Sequence, residues 1–297
     1  MDLQQLRTFV TIAQEGNLTR ASVTLCLSQP AVSAQIKALE DELGVKLFYR
    51  ESRGMTLTPA GKILSEEAKE ALMAARNVVD RAQYLRDGIS GEFRLGTIIE
   101  PVILRLGEFL SDLIALYPSL HVSLSQGISG DIIDRVLTGR IDAGYVIGPV
   151  EDTMISAIKI MPITFRIVAP VDWIDKILTA DWKAIECLPW ISTPEKCSFN
   201  RVAAHMFARH GVAPQTVIEA DQEATLKKLV ASGIGLTLMR EDVALAAEAK
   251  GELVIWPTYA EVSHLYFVYS RAAKKTLVLQ AVLSVVRKVW QLSPSHH

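Results

Sequence analysis

The residues whose types and spacing could do chemistry lie early in the chain, around Gln29 and Lys37. Ser28 can cap a helix, and Pro30 fits the first turn of that helix, where a missing N–H has no intrahelical partner to lose. The Gln29 amide, exposed at the start of such a helix, has the donor and the acceptor that match an adenine edge in the major groove. This pattern predicts base recognition rather than a reaction.

Two short helices separated by a tight break would position these residues. Thr19 is the predicted cap of the first helix and Ser28 that of the second. The second helix carries an apolar stripe whose members recur at spacings of 4, 3 and 4: Val32, Ile36, Leu39 and Leu43. The opposite side is small and polar enough to enter a groove, which predicts a helix-turn-helix. An ordinary helical hairpin inside a core is the alternative.

The segments on either side favour DNA binding over a plain hairpin. Residues 3–13 form an amphipathic pattern that supplies a third helix. Residues 46–49 and 55–57 read as two short strands, and the turn between them carries Arg50 and Arg53. A hairpin so placed is the wing of a winged helix-turn-helix, whose arginines can reach phosphates or the minor groove.

At these residues the chain resembles the LysR-type transcriptional regulators. The resemblance is carried by MDLQQL at 1–6, SQPAVS at 28–33, LFYR at 47–50 and LTPAG at 57–61. It implies DNA contacts from Thr19, Arg20, Ser28, Gln29, Pro30, Ser33, Ala34, Lys37, Arg50 and Arg53. Ala34 stands where the family often has a cation, which would weaken base readout or shift it to neighbouring residues.

Charge gives no support of its own to nucleic-acid binding. The 297-residue chain has a formal net charge of −2, and residues 1–58 hold six cations and six anions. Without a basic stripe, DNA binding must rest on locally placed cations, helix N-termini and dimerisation.

Composition excludes several classes of protein. No apolar run approaches the ~18 residues of a membrane helix, and the N-terminal residues do not resemble a signal peptide. Cys26, Cys187 and Cys197 are odd in number and scattered, which suits a reducing compartment better than a disulfide framework. We therefore expect a cytoplasmic protein with no membrane partner.

The stretch from Thr58 to Asp87 predicts a long helix that pairs two chains. Thr58 can cap it and Pro59 can open it. Within it, apolar residues alternate at spacings of 4 and 3: Leu64, Ala68, Ala71, Ala75, Val78, Ala82 and Leu85. Such a heptad seam predicts a homodimer, and the resemblance implies a homotetramer built from it. The alternative is a helix that packs only on its own domain.

After Gly88–Gly91, strands and helices alternate, which predicts an α/β fold with a mostly parallel sheet. Examples are a buried strand at Ala143–Ile147 and a helix that Pro101 would open. The resemblance implies two lobes of periplasmic-binding-protein type, joined by crossovers near residues 161–162 and 264–266. The expected boundaries are a winged helix-turn-helix domain at 1–58, a linker helix at 59–88, and an effector-binding domain at 89–297, with lobe I at 89–162 and 266–297 and lobe II at 163–265.

Ligands of open α/β sheets bind beyond the carboxyl ends of strands, often at helix N-termini. Segments of this kind, together with the resemblance, give the candidate effector residues Thr97, Ile98, Ile99, Glu100, Ser129, Ile147, Cys197, Ser198, Phe199, Asn200, Asp221 and Thr237. For each serine or threonine a plain helix cap is the alternative. The implied partners are operator DNA, a small metabolite as effector, and RNA polymerase.

Nothing in the sequence points to catalysis, so we expect no catalytic residue, no metal and no cofactor. The histidines lack ligand-like spacing, and Gly233-Ile234-Gly235 lacks the context of a dinucleotide loop. A small-molecule-binding protein or an enzyme built on the two lobes remains the alternative from another class. A redox sensor acting through Cys197 is a further alternative, but no resolving cysteine follows it closely.

Overall fold

The computed structural model describes residues 1–51, 54–98 and 103–292, with the backbone alone at residues 50, 51, 80, 83, 84, 86 and 87. The chain divides into two compact units. The first contains Met1–Ser90 and Lys275–Gln280, and the second contains Gly91–Lys274 and the chain from Ala281 onwards. No helix among the described residues has both the length and the apolar character that crossing a membrane requires.

The first unit is a three-helix domain followed by a hairpin and a long helix. Its elements are α1 (Leu3–Glu15), α2 (Leu18–Leu25), α3 (Gln29–Leu43), β1 (Phe48–Glu51), β2 (Gly54–Leu57) and α4 (Pro59–Asp87). Strands β1 and β2 pair antiparallel, with Phe48 opposite Leu57. The predicted winged helix-turn-helix and the long helix that follows it are both present.

Side-chain caps define where these helices begin. The Ser28 hydroxyl accepts the Ala31 N–H at 3.4 Å, and the Thr58 hydroxyl accepts the Gly61 N–H at 2.9 Å, as predicted. The predicted Thr19 cap is wrong. Asn17 caps α2 instead, because its extended backbone lets its side-chain oxygen accept the N–H groups of Thr19 and Arg20 at 2.8 and 3.3 Å.

One apolar core holds the winged domain together. The α3 stripe contributes Val32, Ile36 and Leu39, all buried as its spacing predicts, while Leu43 packs at the margin. The Phe9 ring of α1 meets the Phe48 ring of β1 edge-on, with 5.5 Å between centroids. The wing is therefore anchored to the same core as the helix pair.

The second unit is built on a six-stranded sheet with the order β4-β3-β5-β10-β6-β9. Its strands are β3 (Gly91–Thr97), β4 (Leu120–Gln126), β5 (Ala143–Ile147), β6 (Ile155–Ala169), β7 (Trp190–Ser192), β8 (Thr216–Glu219), β9 (Thr237–Arg240) and β10 (Val254–Ser270), of which β7 and β8 form a separate pair. Its helices are α5 (Leu106–Leu116), α6 (Ser129–Leu137), α7 (Ile174–Leu178), α8 (Trp182–Glu186), α9 (Ser198–His210), α10 (Glu223–Ala231) and α11 (Glu241–Glu248). The last helix, α12 (Leu277–Val289), belongs to the first unit up to Gln280 and to the second unit from Ala281 onwards.

The expectation of a mostly parallel sheet is wrong. Within the described six-stranded sheet, β3 pairs in parallel with β4 and β5, whereas β10 runs antiparallel to β5 and β6, and β6 runs antiparallel to β9. The separate pair of β7 and β8 is parallel. The reason for the mixed sheet is that β6 and β10 are long strands that pair antiparallel with each other along most of their length. His264 lies opposite Pro162, and Leu265 lies opposite Met161. The two predicted crossovers are thus paired with each other, and the lobe boundaries drawn from them stay a prediction.

Helix α5 also departs from the prediction. Pro101 was expected to open it, but the helix begins at Leu106, and Pro101 itself lies outside the described residues. Arg105 precedes the helix in a left-handed conformation with a φ of 48°, and no side chain caps the start. A chain that enters through this conformation makes a sharp turn, so the helix starts later than a proline signal alone indicates.

Candidate functional site

Helix α3 presents the predicted DNA-reading residues to solvent. Its buried stripe faces the core, which leaves Gln29, Pro30, Ala34 and Lys37 exposed and Ser33 half-buried. Ser28, Thr19 and Arg20 are exposed as well. Arg53 lies outside the described residues, as does the side chain of Arg50. The described part of the surface is a smooth helix face with one cation, which suits a DNA groove.

The turn between α2 and α3 determines the orientation of the exposed face of α3. Cys26 ends α2 in a left-handed conformation, with a φ of 54° and a ψ of 38°. Its N–H points back to the carbonyls of Ser22 and Val23, as in a helix C-cap. Arg20, on the outer side of α2, donates to the Glu15 carbonyl. The predicted contacts of Arg20 with DNA would therefore come from an already anchored guanidinium.

Glu40 ties α3 to the wing. Burial would raise the pKa of its carboxyl, but the hydrogen bond from Lys46 and those from the Leu47 and Phe48 N–H groups outweigh burial and lower the pKa. The carboxylate accepts from Lys46 at 2.7 Å and from Leu47 at 2.8 Å. The orientation of the hairpin on the DNA-reading helix thus depends on an ionised Glu40.

The heptad seam on α4 has two parts. Leu64 and Ala68 pack against the core of the winged domain. The alternative prediction, a helix that packs on its own domain, therefore holds at these two positions. Farther along, Ala71 and Ala82 are exposed, Ala75 is half-buried, and Val78 and Leu85 are 71% and 75% exposed. Large apolar side chains left in water on one helix face suggest a partner surface.

In the second unit, the ends of three strands meet the starts of two helices. The Gly127 N–H donates to the Thr97 carbonyl at 3.0 Å, and the Ile147 N–H donates to the Ser129 hydroxyl at 3.2 Å. The Lys196 carbonyl, just before α9, accepts the Gly130 N–H at 2.9 Å. These contacts bring the predicted effector residues Thr97, Ser129, Ile147, Cys197 and Ser198 into one region.

Other predicted effector residues are occupied by contacts within the second unit. The Phe199 ring packs edge-on against Phe165 at 4.9 Å, the Asn200 amide donates to the Thr193 carbonyl at 2.6 Å, and the Thr237 hydroxyl donates to the Ile191 carbonyl at 2.8 Å. Asp221 is exposed and Ile98 is half-buried, whereas Ile99 and Glu100 lie outside the described residues. A ligand role for any of these residues stays a prediction.

Two polar residues of this region are not among the effector-binding residues predicted from the sequence. Thr193 follows β7, and its hydroxyl is buried without a hydrogen-bond partner. Arg201 lies in the first turns of α9, and its Nε and Nη2 are also buried without a partner. Thr193 could have been found, because it stands at the carboxyl end of a strand that precedes a helix. Nothing in the local sequence marks Arg201.

The described residues hold no cluster of three or more histidine, cysteine, aspartate or glutamate side chains that could bind a metal ion. Cys26, Cys187 and Cys197 are free thiols, of which only Cys197 is buried. Hydroxyls, backbone N–H groups and a guanidinium are among the hydrogen-bonding groups of the second unit. That inventory suits ligand binding.

Comparison with known proteins identifies the family that the chain matches. Residues 86–291 match the family described as LysR substrate binding domain, and residues 3–62 match the bacterial regulatory helix-turn-helix protein, lysR family. The chain is 26% identical over 298 residues to the HTH-type transcriptional regulator GltR of Bacillus subtilis, with 98% of each chain covered. It is 31% identical over 244 residues to BsdA of the same organism, with 80% of this chain and 83% of the relative covered.

A solved structure agrees with these matches on the fold. The crystal structure of ArgP from Mycobacterium tuberculosis aligns with a TM-score of 0.67 and 15% identity, covering 97% of each chain. Both curated relatives are named as HTH-type transcriptional regulators. Because the substrate-domain match alone spans more than half of the sequence, the chain belongs to the LysR family of DNA-binding transcriptional regulators, in which an effector-binding domain controls activity.

Proposed function

We propose that this regulator reads its operator with the exposed face of α3, with Gln29 as the base-reading residue and Lys37 as a phosphate contact. Gln29 is exposed at the first position of a helix whose buried stripe fixes its orientation. An amide there can pair with an adenine edge, whereas a lysine farther along the helix offers a point charge to the backbone. Residues 1–58 form the DNA-binding domain in this proposal.

The same proposal assigns pairing of two chains to the exposed half of the seam, from Ala71 to Leu85. The apolar exposure of Val78 and Leu85 is the observation that supports it. Two winged domains carried on paired helices would meet two half-sites of an operator with two-fold symmetry. The proposal also includes a tetramer formed from two such dimers and a contact with RNA polymerase. No surface among the described residues supports either of these two parts.

In this proposal the effector lies between lobes I and II, where the starts of α6 and α9 meet, and the domain at 89–297 is not an enzyme. Hydroxyls and N–H groups converge there, and none of the described residues forms a nucleophile–base pair with them. Binding of this kind shifts the chain between two states with different affinity for the operator. Because its target is DNA, we place the protein in the cytoplasm.

Selection from randomised duplexes with the full chain would yield an operator, and gel shifts on its base variants would test the reading surface. Gln29→Ala should cost about 1–3 kcal/mol at one base position and relax the preference there. Lys37→Ala should weaken binding evenly across sequences and reduce the salt slope by about 1. Gln222→Ala, an exposed glutamine of the second unit, is the control. Unchanged affinity and base preference in Gln29→Ala would reject this assignment.

A further inference from the structure

The first residue of β2, Gly54, has a backbone conformation that few other residues adopt. Its φ is 147°, and positive φ angles are disfavoured for residues that carry a Cβ. A Cβ added to Gly54 would also overlap the Gly16 carbonyl oxygen, so the backbone on one side would have to move. Conformation and space therefore each require glycine at this position.

The backbone that lies against Gly54 is the corner between α1 and α2. Gly16 ends α1 in a left-handed conformation with a φ of 61°. Its carbonyl accepts the N–H of Met55, the residue after Gly54, at 2.8 Å. The Met55 side chain is buried in the core of the winged domain. The start of β2 is thus held to the helix corner by a hydrogen bond, a close backbone contact and a core side chain.

The base of the wing is held by different groups. The Leu47 N–H, just before β1, donates to the Glu40 carboxylate at 2.8 Å, and the Leu47 carbonyl accepts the Thr58 N–H at 3.0 Å. An isolated two-stranded hairpin has little stability in water, so such attachments decide where the wing points. The bonds of Glu40 and Thr58 act at the base, whereas the Gly16 contact acts next to residues 52 and 53, which connect the two strands.

We propose that Gly54 is a positioning residue for operator binding, because its contact with Gly16 sets the direction of the wing towards the DNA. This inference rests on the proposed DNA-reading surface and adds to it a residue that acts through a neighbour. That neighbour is Arg53, which directly precedes Gly54 and is expected to contact phosphate. A wing that is held in place before binding avoids the cost of ordering a loop on the DNA.

Gel shifts with the full chain and its selected operator test this role in Gly54→Ala. An alanine should displace the start of β2 from the Gly16 carbonyl and move the wing away from the DNA. We expect about tenfold weaker binding and a salt slope reduced by about 1, the effects of losing one charged contact to a phosphate. The preference at the base that Gln29 reads should stay unchanged, because α3 keeps its own attachments.

A double-variant comparison separates positioning from simple destabilisation. Arg53→Ala should also weaken binding about tenfold, and the double variant should bind no more weakly than either single variant, because both changes remove one contact. A purely structural defect at Gly54 would add its own loss. Gly44→Ala is the matched control: Gly44 has a φ of 70° in the same domain, but no described atom lies within 4 Å of an added Cβ. It should keep the operator affinity and the salt slope of the wild type.

Amide exchange of the wild-type chain tests the attachment without any substitution, and it decides the question if Gly54→Ala does not fold. The Met55 N–H should be protected before DNA is added, because its bond to the Gly16 carbonyl already exists. It should gain no further protection in the complex with the operator.

Several results would overturn the positioning role: a Met55 amide that exchanges freely until DNA is added, wild-type affinity in Gly54→Ala or in Arg53→Ala, or losses that multiply in the double variant. The base preference separates these failures from a failure of the proposed function. If Gln29→Ala relaxes its base position as proposed, any of these results rejects the role of Gly54 alone. If Gln29→Ala binds like the wild type, the reading surface on α3 is rejected instead.

Discussion

Glu40 on the recognition helix α3 and Leu47 at the base of the wing are joined by a hydrogen bond of 2.8 Å from the Leu47 N–H to the Glu40 carboxylate. The same carboxylate accepts the Phe48 N–H at 3.4 Å and pairs with Lys46 at 2.7 Å. The ionised form accepts all three bonds, whereas protonation would turn one of the two oxygens into a donor and weaken the bonds that it accepts. The placement of the wing is thus coupled to the charge of one side chain.

Glu40→Gln should destabilise the winged domain by about 1–3 kcal/mol at pH 7, the usual effect of losing hydrogen bonds to a charged group. Because folding lowers the pKa of Glu40 from its ordinary 4.5, its contribution is complete above that value and is lost as the pH falls through the folded pKa. The difference between variant and wild type should therefore shrink below about pH 4.5. Thermal unfolding at a series of pH values measures it.

Asp41→Asn is the control for this prediction, because Asp41 is an exposed neighbour on the same helix. It should leave stability within about 0.5 kcal/mol of wild type. If Glu40→Gln matched Asp41→Asn at pH 7, the bond to the wing would contribute nothing to folding.

Gly130→Ala should disturb the contact between the start of α6 and the segment before α9. An added Cβ would lie 2.8 Å from both the Cβ and the carbonyl oxygen of Lys196, closer than real Cβ contacts come. We expect a loss of about 1–3 kcal/mol in the stability of the second unit, as for other overpacking substitutions. Gly107→Ala is the matched control, because it lies in α5 with nothing within 4 Å of the new Cβ.

Gly107→Ala should be neutral or stabilising by up to about 1 kcal/mol, the helix propensity of alanine over glycine. Chemical denaturation of the two variants side by side gives the comparison. An equal response of both would mean that the segment around Lys196 shifts easily enough to accommodate the methyl group.

The fold was largely predictable at positions where a residue type favours a single local structure. Ser28, Thr58 and Pro59 marked helix starts, and an uninterrupted apolar run marked β5. The sequence predicts a strand only at residues 165–168 and a crossover at residues 161–162, whereas β6 begins at Ile155 and runs through Pro162. At that position β6 pairs with β10 alone, and β9 joins only from Phe165 onwards, so a missing N–H on the open side loses no bond.

The candidate site was harder to predict, because its distinguishing features are absences. A missing cap at α9 and the missing partners of Thr193 and Arg201 appear only once neighbouring segments are in place. The contact of Gly130 with Lys196 joins residues that are far apart in the sequence and share no local pattern. Sequence periodicity predicts helix faces, but it gives no information about which buried polar groups lack a hydrogen-bond partner.

Ala75→Glu should split the dimer that we propose. Burying an unpaired carboxylate in a helix seam is costly by several kcal/mol. Ala74→Glu is the control, because it flanks the seam at a heptad position where glutamate is common and is exposed. Light scattering over a range of concentrations should show a lower mass for Ala75→Glu alone. Unchanged mass in both variants would mean that α4 pairs with no second chain.

Cys26→Gly should stabilise the winged domain by about 1 kcal/mol, because glycine adopts the left-handed conformation at this turn without strain. Cys187→Gly is the matched control: Cys187 is also exposed and ends a helix, but its φ is −78°, so glycine gains nothing there. Denaturation midpoints would show the contrast. A loss of stability in Cys26→Gly would indicate that the thiol itself makes a stabilising contact.

Cys197→Ser distinguishes a ligand site from a redox sensor. Cys197 is buried at the start of α9, whereas Cys187 is exposed at the end of α8, before the intervening β7, and neither thiol is bonded. A peroxide sensor needs a reactive, accessible thiol and a resolving partner, and the buried position of Cys197 argues against the first requirement. We expect Cys197→Ser to bind operator like the wild type, and peroxide to change the operator affinity of neither protein in gel shifts. A wild-type response to peroxide that the serine variant lacks would establish redox sensing instead.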